Sequence, residues 1–469
     1  MRSHFLPSFA ALAAVSLLQA ASISSTQAAW DAAVADPAAA RLARPTQAQF
    51  DWQETEMGMF LHLGPPTLQG REYDDGSTPL KDIRFEKLDV NQWCEAAKSF
   101  GAGHVLLAAA HSGGFCLWPS KTTNYHIGNT SYRGGGGDIV QELGEACRRH
   151  GLKVGFHIWL PRPTTAGEDR NTVGYTKIDI ARTWEDSNRL LAARFDELMD
   201  RLGSDLVREI WLDQPIKSAI GARIAERASH AVIAAVGSRD PLPTVRWPGN
   251  ERGTVRYPCW STLNRSQINQ EAPDQYEADR RQVQGVENPD GDYWAPQEAD
   301  LPLHDHFWHM RPGALERRRS VETLMDCYES SVGRNSYLLL NCCPQADGSV
   351  HPDDMKRYAE FGAEIRRRFG SPHATLEQVA AKEAVLDLGG RRQVGYIDLW
   401  EDYRYGHRIR AFVIEGFDGT KWTQLFEGTA VGRRLIVRLP ATELTQVRVR
   451  VTQSVGTPLI RRLRTHNPK

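Results

Sequence analysis

Between about Phe50 and Phe369 the chain repeats one pattern: a short apolar run with no polar alternation, then a stretch of helical spacing. The runs are Met57 to Gly64, His104 to His111, Lys153 to Trp159, Glu209 to Asp213, Thr244 to Glu251, Tyr293 to Asp300 and Tyr337 to Pro344. A strand that is apolar on both faces has to be covered on both faces, which is the situation of a parallel strand beneath a layer of helices. The intervening segments supply such helices. Trp93, Ala96, Ala97 and Phe100 fall at i, i+3, i+4 and i+7, and Gly101 then stops the turn. Asp138 is positioned as the N-cap of a second helix bearing Ile139, Leu143 and Ala146, with Gly151 just past its end.

Most of the runs carry a residue able to bind or react at or near their carboxyl end: His62, His111, His157, Asp213, Glu251 and Glu298. Barrel enzymes build their sites on that face. The expected fold is therefore α/β, a (β/α)8-like barrel, complete or short of one clean strand, in preference to a doubly wound sheet. After Gly370 the period changes to two. Ile409, Ala411 and Val413 interleave Arg408 and Arg410, and Val447, Val449 and Val451 interleave Arg448 and Arg450, with turn signals at Asp418-Gly419, Gly428 and Gly432. Half-buried antiparallel strands read this way, and a C-terminal β-sandwich domain over 371–469 is expected, after a barrel over 30–370.

The first 29 residues stand apart. Arg2, the apolar run Phe5 to Leu18 and the small-residue stretch Gln19 to Ala29 have the layout of a signal peptide cleaved after about Ala29. The alternative is a membrane anchor, for which the run falls short of the ~20 apolar residues a span needs. A secreted or periplasmic protein is expected. Lys and Arg number 57 against 58 Asp and Glu, a net charge of −1, which argues against nucleic-acid or membrane-surface partners. Seven cysteines, an odd and scattered set, make no disulfide framework and no Cys-x-x-Cys zinc pattern. The glycines from 134 to 137 lack a following Gly-Lys-Ser/Thr and read as a loop, not a phosphate cradle.

Ile210-Trp211-Leu212-Asp213 is an apolar strand that ends in a carboxylate. Such an acid is costly unless paired or used. One reading is a helix cap or an arginine partner; the other is a carboxylate nucleophile with Trp211 as a wall for the apolar face of a sugar. His62, His111 and His157 at neighbouring strand ends can bridge hydroxyl groups, each imidazole being donor and acceptor at once. A polyhydroxyl ligand follows. Zinc is the rival, but the three histidines sit on separate strands without a paired spacing. No metal and no organic cofactor is expected.

Leu61-His62, His111 to Ser120, Trp211-Leu212-Asp213 and Tyr337 to Pro344 followed by Asp347-Gly348 resemble the retaining α-L-fucosidases of glycoside hydrolase family 29. The likeness runs from about Phe50 to the C-terminus, where His407 to Glu427 is similar to that family's β-sandwich. Arg246 to Gly253, Trp294 to Asp300 and Ser331 to Asn335 are similar to the branch that cleaves α-1,3/1,4-linked fucose. The resemblance implies an exo-acting hydrolase of fucosylated oligosaccharides or glycoconjugates, with Asp213 as nucleophile and His62, His111 and Trp211 holding the sugar. Glu72, His157 and Arg246 join them as substrate-binding candidates. Two departures stand out. The family's His-His-Asp-Gly-Phe is His111-Ser112-Gly113-Gly114-Phe115 here, and Cys259 precedes Trp260-Ser261 where the branch has its acid/base Glu. The proton must then come from another carboxyl, Glu298 or Glu251, either of them expected to face Asp213 across the barrel mouth, with Glu298 preferred. The alternatives are a fucose-binding homologue with impaired catalysis and a hydrolase of a related sugar such as an α-L-galactoside.

Overall fold

Strands β1 (Met57–Leu61), β2 (His104–Ala110), β3 (Lys153–Ile158), β4 (Val207–Leu212), β5 (Val232–Ala235), β6 (Glu298–Pro302) and β7 (Tyr337–Cys342) form one sheet in a computed structural model. It describes residues 27–159, 184–213, 220–235, 243–268 and 287–469. The sheet order is β5-β4-β3-β2-β1-β7-β6, and every pairing is parallel. Its two edges are linked by single parallel bridges, Ala234 to Val245 and Arg246 to Gln297, so a two-residue segment takes the eighth position of a (β/α)8-like barrel. These strands are buried along almost their whole length, which is why their sequences do not alternate.

Two strand expectations need correction, and one strand was not expected. Thr244 to Glu251 is not a strand: only Val245 and Arg246 pair, because Pro248 has no amide hydrogen to extend the ladder. Tyr293 to Asp300 is two elements. Tyr293-Trp294 pairs with Thr262-Leu263 in a separate ribbon, and the barrel strand begins only at Glu298. Glu298 is therefore at the amino end of its strand, not the carboxyl end. β5, only four residues long and half alanine, carried too weak a pattern to be anticipated.

The helices follow their local signals. Asp89 caps Val90–Phe100 through the amide of Asn91, and Gly101 ends it in the left-handed conformation. Asp138 caps Ile139–His150 through the amide of Gln141, and Gly151 ends it likewise. The anticipated inward positions, Trp93, Ala96, Ala97, Phe100, Ile139, Leu143 and Ala146, are all buried. Inside the barrel Trp52, Phe60, Leu106, Trp211, Val232, Tyr337 and Leu339 pack as one cluster, with Trp52 and Tyr337 stacked at 4.0 Å.

This unit spans Pro45–Ser371; a second unit joins the chain up to Arg44 to Pro372–Lys469. The second unit, expected as a β-sandwich domain, is built on one six-stranded antiparallel sheet. Val447, Val449 and Val451 point inward as expected, while Arg448 and Arg450 both donate to Glu415. In Ile409–Phe417 the expected phase holds at Ile409, which is fully buried, and then fails: register shifts on both sides of Ala411 leave that residue half-buried and bring Phe412 and Ile414 fully inside. Residues 27–34 are helical, with Trp30 and Ala33 against Leu459, so the expected cleavage after about Ala29 falls within that helix. The rest of the expected signal peptide, residues 1–26, lies outside the described residues.

Gly362 lets helix Pro352–Phe369 touch helix Val90–Phe100: a Cβ there would overlap the Ser99 carbonyl and lie 2.7 Å from the Phe100 Cα. Gly362→Ala gains about 1 kcal/mol of helix propensity and meets an overpacking cost of about 1–3 kcal/mol. A lowered midpoint in thermal or urea unfolding is the expected outcome. An unchanged or raised midpoint would refute the close contact.

Candidate active site

β4 delivers two of the anticipated groups. Trp211 lies inside the barrel, 4% exposed, and its indole N–H donates to Glu298 Oε1 at 2.8 Å. Asp213 follows the strand end, its amide held by the Ile158 carbonyl at 3.1 Å, and its carboxylate is 40% exposed at the mouth. His157 Nε2 stands 3.5 Å from Asp213 Oδ2. The strand thus sets an aromatic floor and a solvent-reaching carboxylate two residues apart.

Around that floor the three anticipated imidazoles meet a fourth. Ring centroids are 5.4 Å apart for His62 and His111, 5.6 Å for His111 and His157, 5.3 Å for His62 and His309, and 5.2 Å for His111 and His309. Burial, reinforced by the neighbouring imidazoles, pushes His62 and His111 well below the ordinary histidine range, so both are neutral at neutral pH. His62 Nδ1 donates to Asn341 Oδ1 at 2.8 Å, an orientation fixed by the amide nitrogen of Asn341 donating to the Trp308 carbonyl. Its Nε2 is then an acceptor. Buried Nδ1 atoms of His111 and His157 have no hydrogen-bond partner among the described residues, as expected of groups that wait for a ligand hydroxyl. Among the described residues no group of three or more His, Cys, Asp or Glu side chains is arranged to hold a metal ion.

The segment after β6 supplies residues that the sequence reading missed. Trp308 lies 5.1 Å from His62 and 5.6 Å from Phe60, and its indole N–H donates to Glu251 Oε2 at 3.2 Å. Glu72 accepts the Trp308 amide at 3.2 Å and lies 3.6 Å from His309 Nδ1 and 3.7 Å from Arg311. Glu72, expected to bind substrate, anchors the Trp308-His309 turn in the structure. Tyr73, 47% exposed, stacks parallel to His111 at 6.4 Å, and Trp159 lies 5.1 Å from the same ring. The signal that would have found Trp308 and His309 is the aromatic triplet Phe307-Trp308-His309 beyond the true end of β6. The misplaced strand end concealed it.

The carboxyls separate into two groups. Glu298 is 1% exposed in the barrel interior, and burial with the nearby Glu209 pushes it well above the usual carboxyl range. It is a protonated support for Trp211 at the amino end of its strand, not at the carboxyl end where it was expected to face Asp213. Glu251 sits on a turn at the mouth, in the left-handed conformation at φ 49°. Asp300 on β6 was also missed: 4% exposed, it accepts the Trp247 indole N–H at 2.8 Å. Burial first, then the charges of Glu251 and, more weakly, Asp213, raise Asp300 to about 8.

Arg246, expected to bind substrate, is engaged by the protein in the structure. Its guanidinium, 2% exposed, donates to the carbonyls of Ala295 and Trp260 and meets Glu287, so it braces the backbone beside the site. Cys259, 1% exposed, is a neutral thiol, its acidity suppressed by burial and by Glu287. At the other departure, Gly113 has φ 87° and a Cβ there would overlap the carboxylate of Asp74. Asp74 is fully buried and accepts from Tyr125 at 2.8 Å, Gln69 at 2.8 Å and the Gly76 amide, while its own amide donates to Ser112. A carboxylate absent at 113 thus stands in nearly the same space, carried by position 74.

Comparison with known proteins bears on this arrangement. Residues 69–367 match the family model described as Alpha-L-fucosidase. An alpha-L-fucosidase 1-type protein of Oryza sativa subsp. japonica is 30% identical over 461 residues, 89% of this chain and 83% of that protein. Alpha-L-fucosidase 1 of Arabidopsis thaliana is 29% identical, over 89% of this chain and 86% of its own. Among solved structures, an alpha-L-fucosidase-type protein of Bacteroides thetaiotaomicron VPI-5482 superposes with a TM-score of 0.79 at 30% identity, covering 91% of this chain and 100% of that one.

If Glu298 supports Trp211 and donates no proton to substrate, Glu298→Gln, which keeps an acceptor, lowers kcat by less than about tenfold. Loss of a general acid costs about 10²–10⁴-fold. Glu298→Leu, which removes the acceptor, has the larger effect. Steady-state rates on a substrate with a poor leaving group decide; a thousandfold loss in Glu298→Gln would return the acid role to Glu298.

Proposed function

The chain belongs to glycoside hydrolase family 29, the alpha-L-fucosidase family, and from that premise we propose that it is an exo-acting, retaining α-L-fucosidase with Asp213 as nucleophile. The observation that carries the reading is the carboxylate of Asp213 at the end of β4, 40% exposed above Trp211 and beside a ring of imidazoles with unsatisfied nitrogens. The substrate is a terminal fucose on an oligosaccharide or glycoconjugate. In support, a Ruminococcus gnavus glycoside hydrolase 29 fucosidase of the same fold, TM-score 0.76 and 23% identity, over 91% of this chain and 95% of its own, was solved in complex with fucose. The leader-like N-terminus supports export to the periplasm or medium.

In the first step Asp213 attacks the anomeric carbon while Glu251 protonates the departing oxygen; in the second, Glu251 takes a proton from the water that cleaves the ester. Glu251 is favoured over Glu298 because it lies at the mouth, fixed by the Trp308 indole, and acts electrostatically on the same carboxyl that senses Asp213. Two neutral imidazoles and the Trp211 face suit a sugar that carries no charge. A second reading, a fucose-binding protein without turnover, is favoured by one observation, the buried neutral Cys259 where the related branch has its acid. A hydrolase of a related sugar, such as an α-L-galactoside, is separated by a panel of aryl glycosides.

Asp213→Gly is expected to abolish turnover of an aryl α-L-fucoside while thermal unfolding stays cooperative. NMR of the wild-type reaction should show the α-anomer formed first. Glu251→Gln should lose about 10²–10⁴-fold on substrates with poor leaving groups and much less on activated ones. Normal rates in Asp213→Gly, or initial release of the β-anomer, would overturn the assignment.

A further inference from the structure

We propose that Cys94 and Cys147 form a disulfide that ties helix Val90–Phe100 to helix Ile139–His150 in the exported protein, made by exchange with an external disulfide as the chain folds. The compartment rests on the export reading; the bridge itself is tested on purified protein, so the two can fail separately.

The seven cysteines show no framework in the sequence, and all are free thiols in the structure. Folding nevertheless brings two of them together across 53 positions: Cys94 Sγ lies 3.9 Å from Cys147 Sγ, and both residues are fully buried. Polar contacts hold the helices at this approach. Lys98 Nζ donates to the His150 carbonyl at 3.0 Å, and Asn91 Oδ1 accepts from Arg149 at 3.1 Å and lies 3.3 Å from His150 Nε2. Asn91 and Lys98 flank Cys94 at i−3 and i+4 on one helix face, and Arg149 and His150 follow Cys147 closely, so the two helices are clamped on both sides of the thiols. The gap left to a covalent bond is within the swing of two Sγ atoms about their own Cα–Cβ bonds. Cys116, Cys327 and Cys343, by contrast, each donate to a backbone carbonyl.

The pair is chemically asymmetric, as exchange favours. Donation from the Cys147 S–H, with the charges of Arg149 and Lys98, holds the Cys94 thiol below its ordinary range, while the same contact and burial push Cys147 well above it. Lys98, one turn along the same helix, favours the Cys94 thiolate even before the helices close. That thiolate attacks one sulfur of a disulfide of the glutathione type, giving a mixed disulfide and releasing one thiolate. The Cys147 sulfur then loses its proton, attacks Cys94 Sγ and expels the second thiolate. Two protein thiols are oxidised, one external disulfide is reduced to two thiols, and the two protons go to them. Both sulfurs are shut off from solvent once folded, so the first attack belongs to the last stage of folding, and helix closure drives the second. The closed loop contains β2 and His111, so the bridge restrains the barrel segment that carries one imidazole of the sugar-binding wall.

The full chain, purified and folded in a buffer of reduced and oxidised glutathione, is unfolded without reductant, alkylated, digested with trypsin and mapped by mass spectrometry. Five of the seven thiols (7 − 2) should be alkylated, and the peptides carrying Cys94 and Cys147 should run as one species that dithiothreitol separates. The thermal midpoint of the oxidised protein should exceed that of its reduced form by at least about 3 °C. Cys94→Ala and Cys147→Ala should lose that redox-dependent difference, whatever the midpoint of each variant in itself. Seven alkylated thiols in the folded protein, a bridge through any other cysteine, or a redox-dependent shift that persists in both variants would overturn the proposal.

Discussion

Two carboxyls buried face to face in the middle of an apolar barrel are the constraint on which the rest of the site depends. Glu209 is fully buried, accepts the Trp52 indole at 2.9 Å and lies 2.9 Å from His104 Nε2, whose other nitrogen meets Tyr337 at 3.1 Å. Glu298, beside it, keeps its proton because two adjacent buried anions would be prohibitively unstable. Having a proton, Glu298 can still offer an oxygen to Trp211. Trp211 is therefore fixed from below by an interior network, and Asp213, two residues on, inherits its position from that anchor. An apolar barrel core alone would fill the same volume but would not fix the plane of the indole.

How much of this could be read from the sequence follows from the range of each signal. Helix caps at Asp89 and Asp138, inward faces such as Trp93 and Leu143, and the polar strand ends His62, His111, His157 and Asp213 are local patterns, and the structure brings them together as expected. What escaped is long-range. Glu72 meets Trp308 across 236 residues, and Trp211 meets Glu298 across 87. A single misjudged boundary had wide effects, because moving the start of β6 to Glu298 carries that residue into the core and shifts the mouth to Trp308 and His309. In the second unit, one irregularity at Ala411 inverted an alternation whose periodicity was itself correct.

The two motif departures have different physical consequences. Gly113 removes a side chain, and the vacated space takes the Asp74 carboxylate, which Tyr125, Gln69 and a backbone amide satisfy. Cys259 is different. Its thiol is shut away beside Glu287, and that carboxylate is occupied by Arg246, Gln297 and the Trp260 amide. In the proposed mechanism the proton comes instead from Glu251.

The electrostatic sign of the pocket is consistent with that transfer. A glycosidic bond breaks through a transition state with positive charge at the anomeric carbon, and a pocket stabilises it best by offering anions and no competing cations. Here the described arginines near the sugar-binding wall are turned elsewhere: Arg246 to backbone carbonyls, Arg311 to Glu72 and the Phe307 ring at 3.8 Å. Burial also keeps His62 and His111 uncharged. A protonated imidazole at either place would strengthen ground-state contacts to hydroxyls and at the same time oppose the developing cation. The desolvation that neutralises these histidines therefore does two things: it leaves each ring both a donor and an acceptor, and it leaves the solvent-reaching carboxylate of Asp213 without a cationic imidazole at His62 or His111.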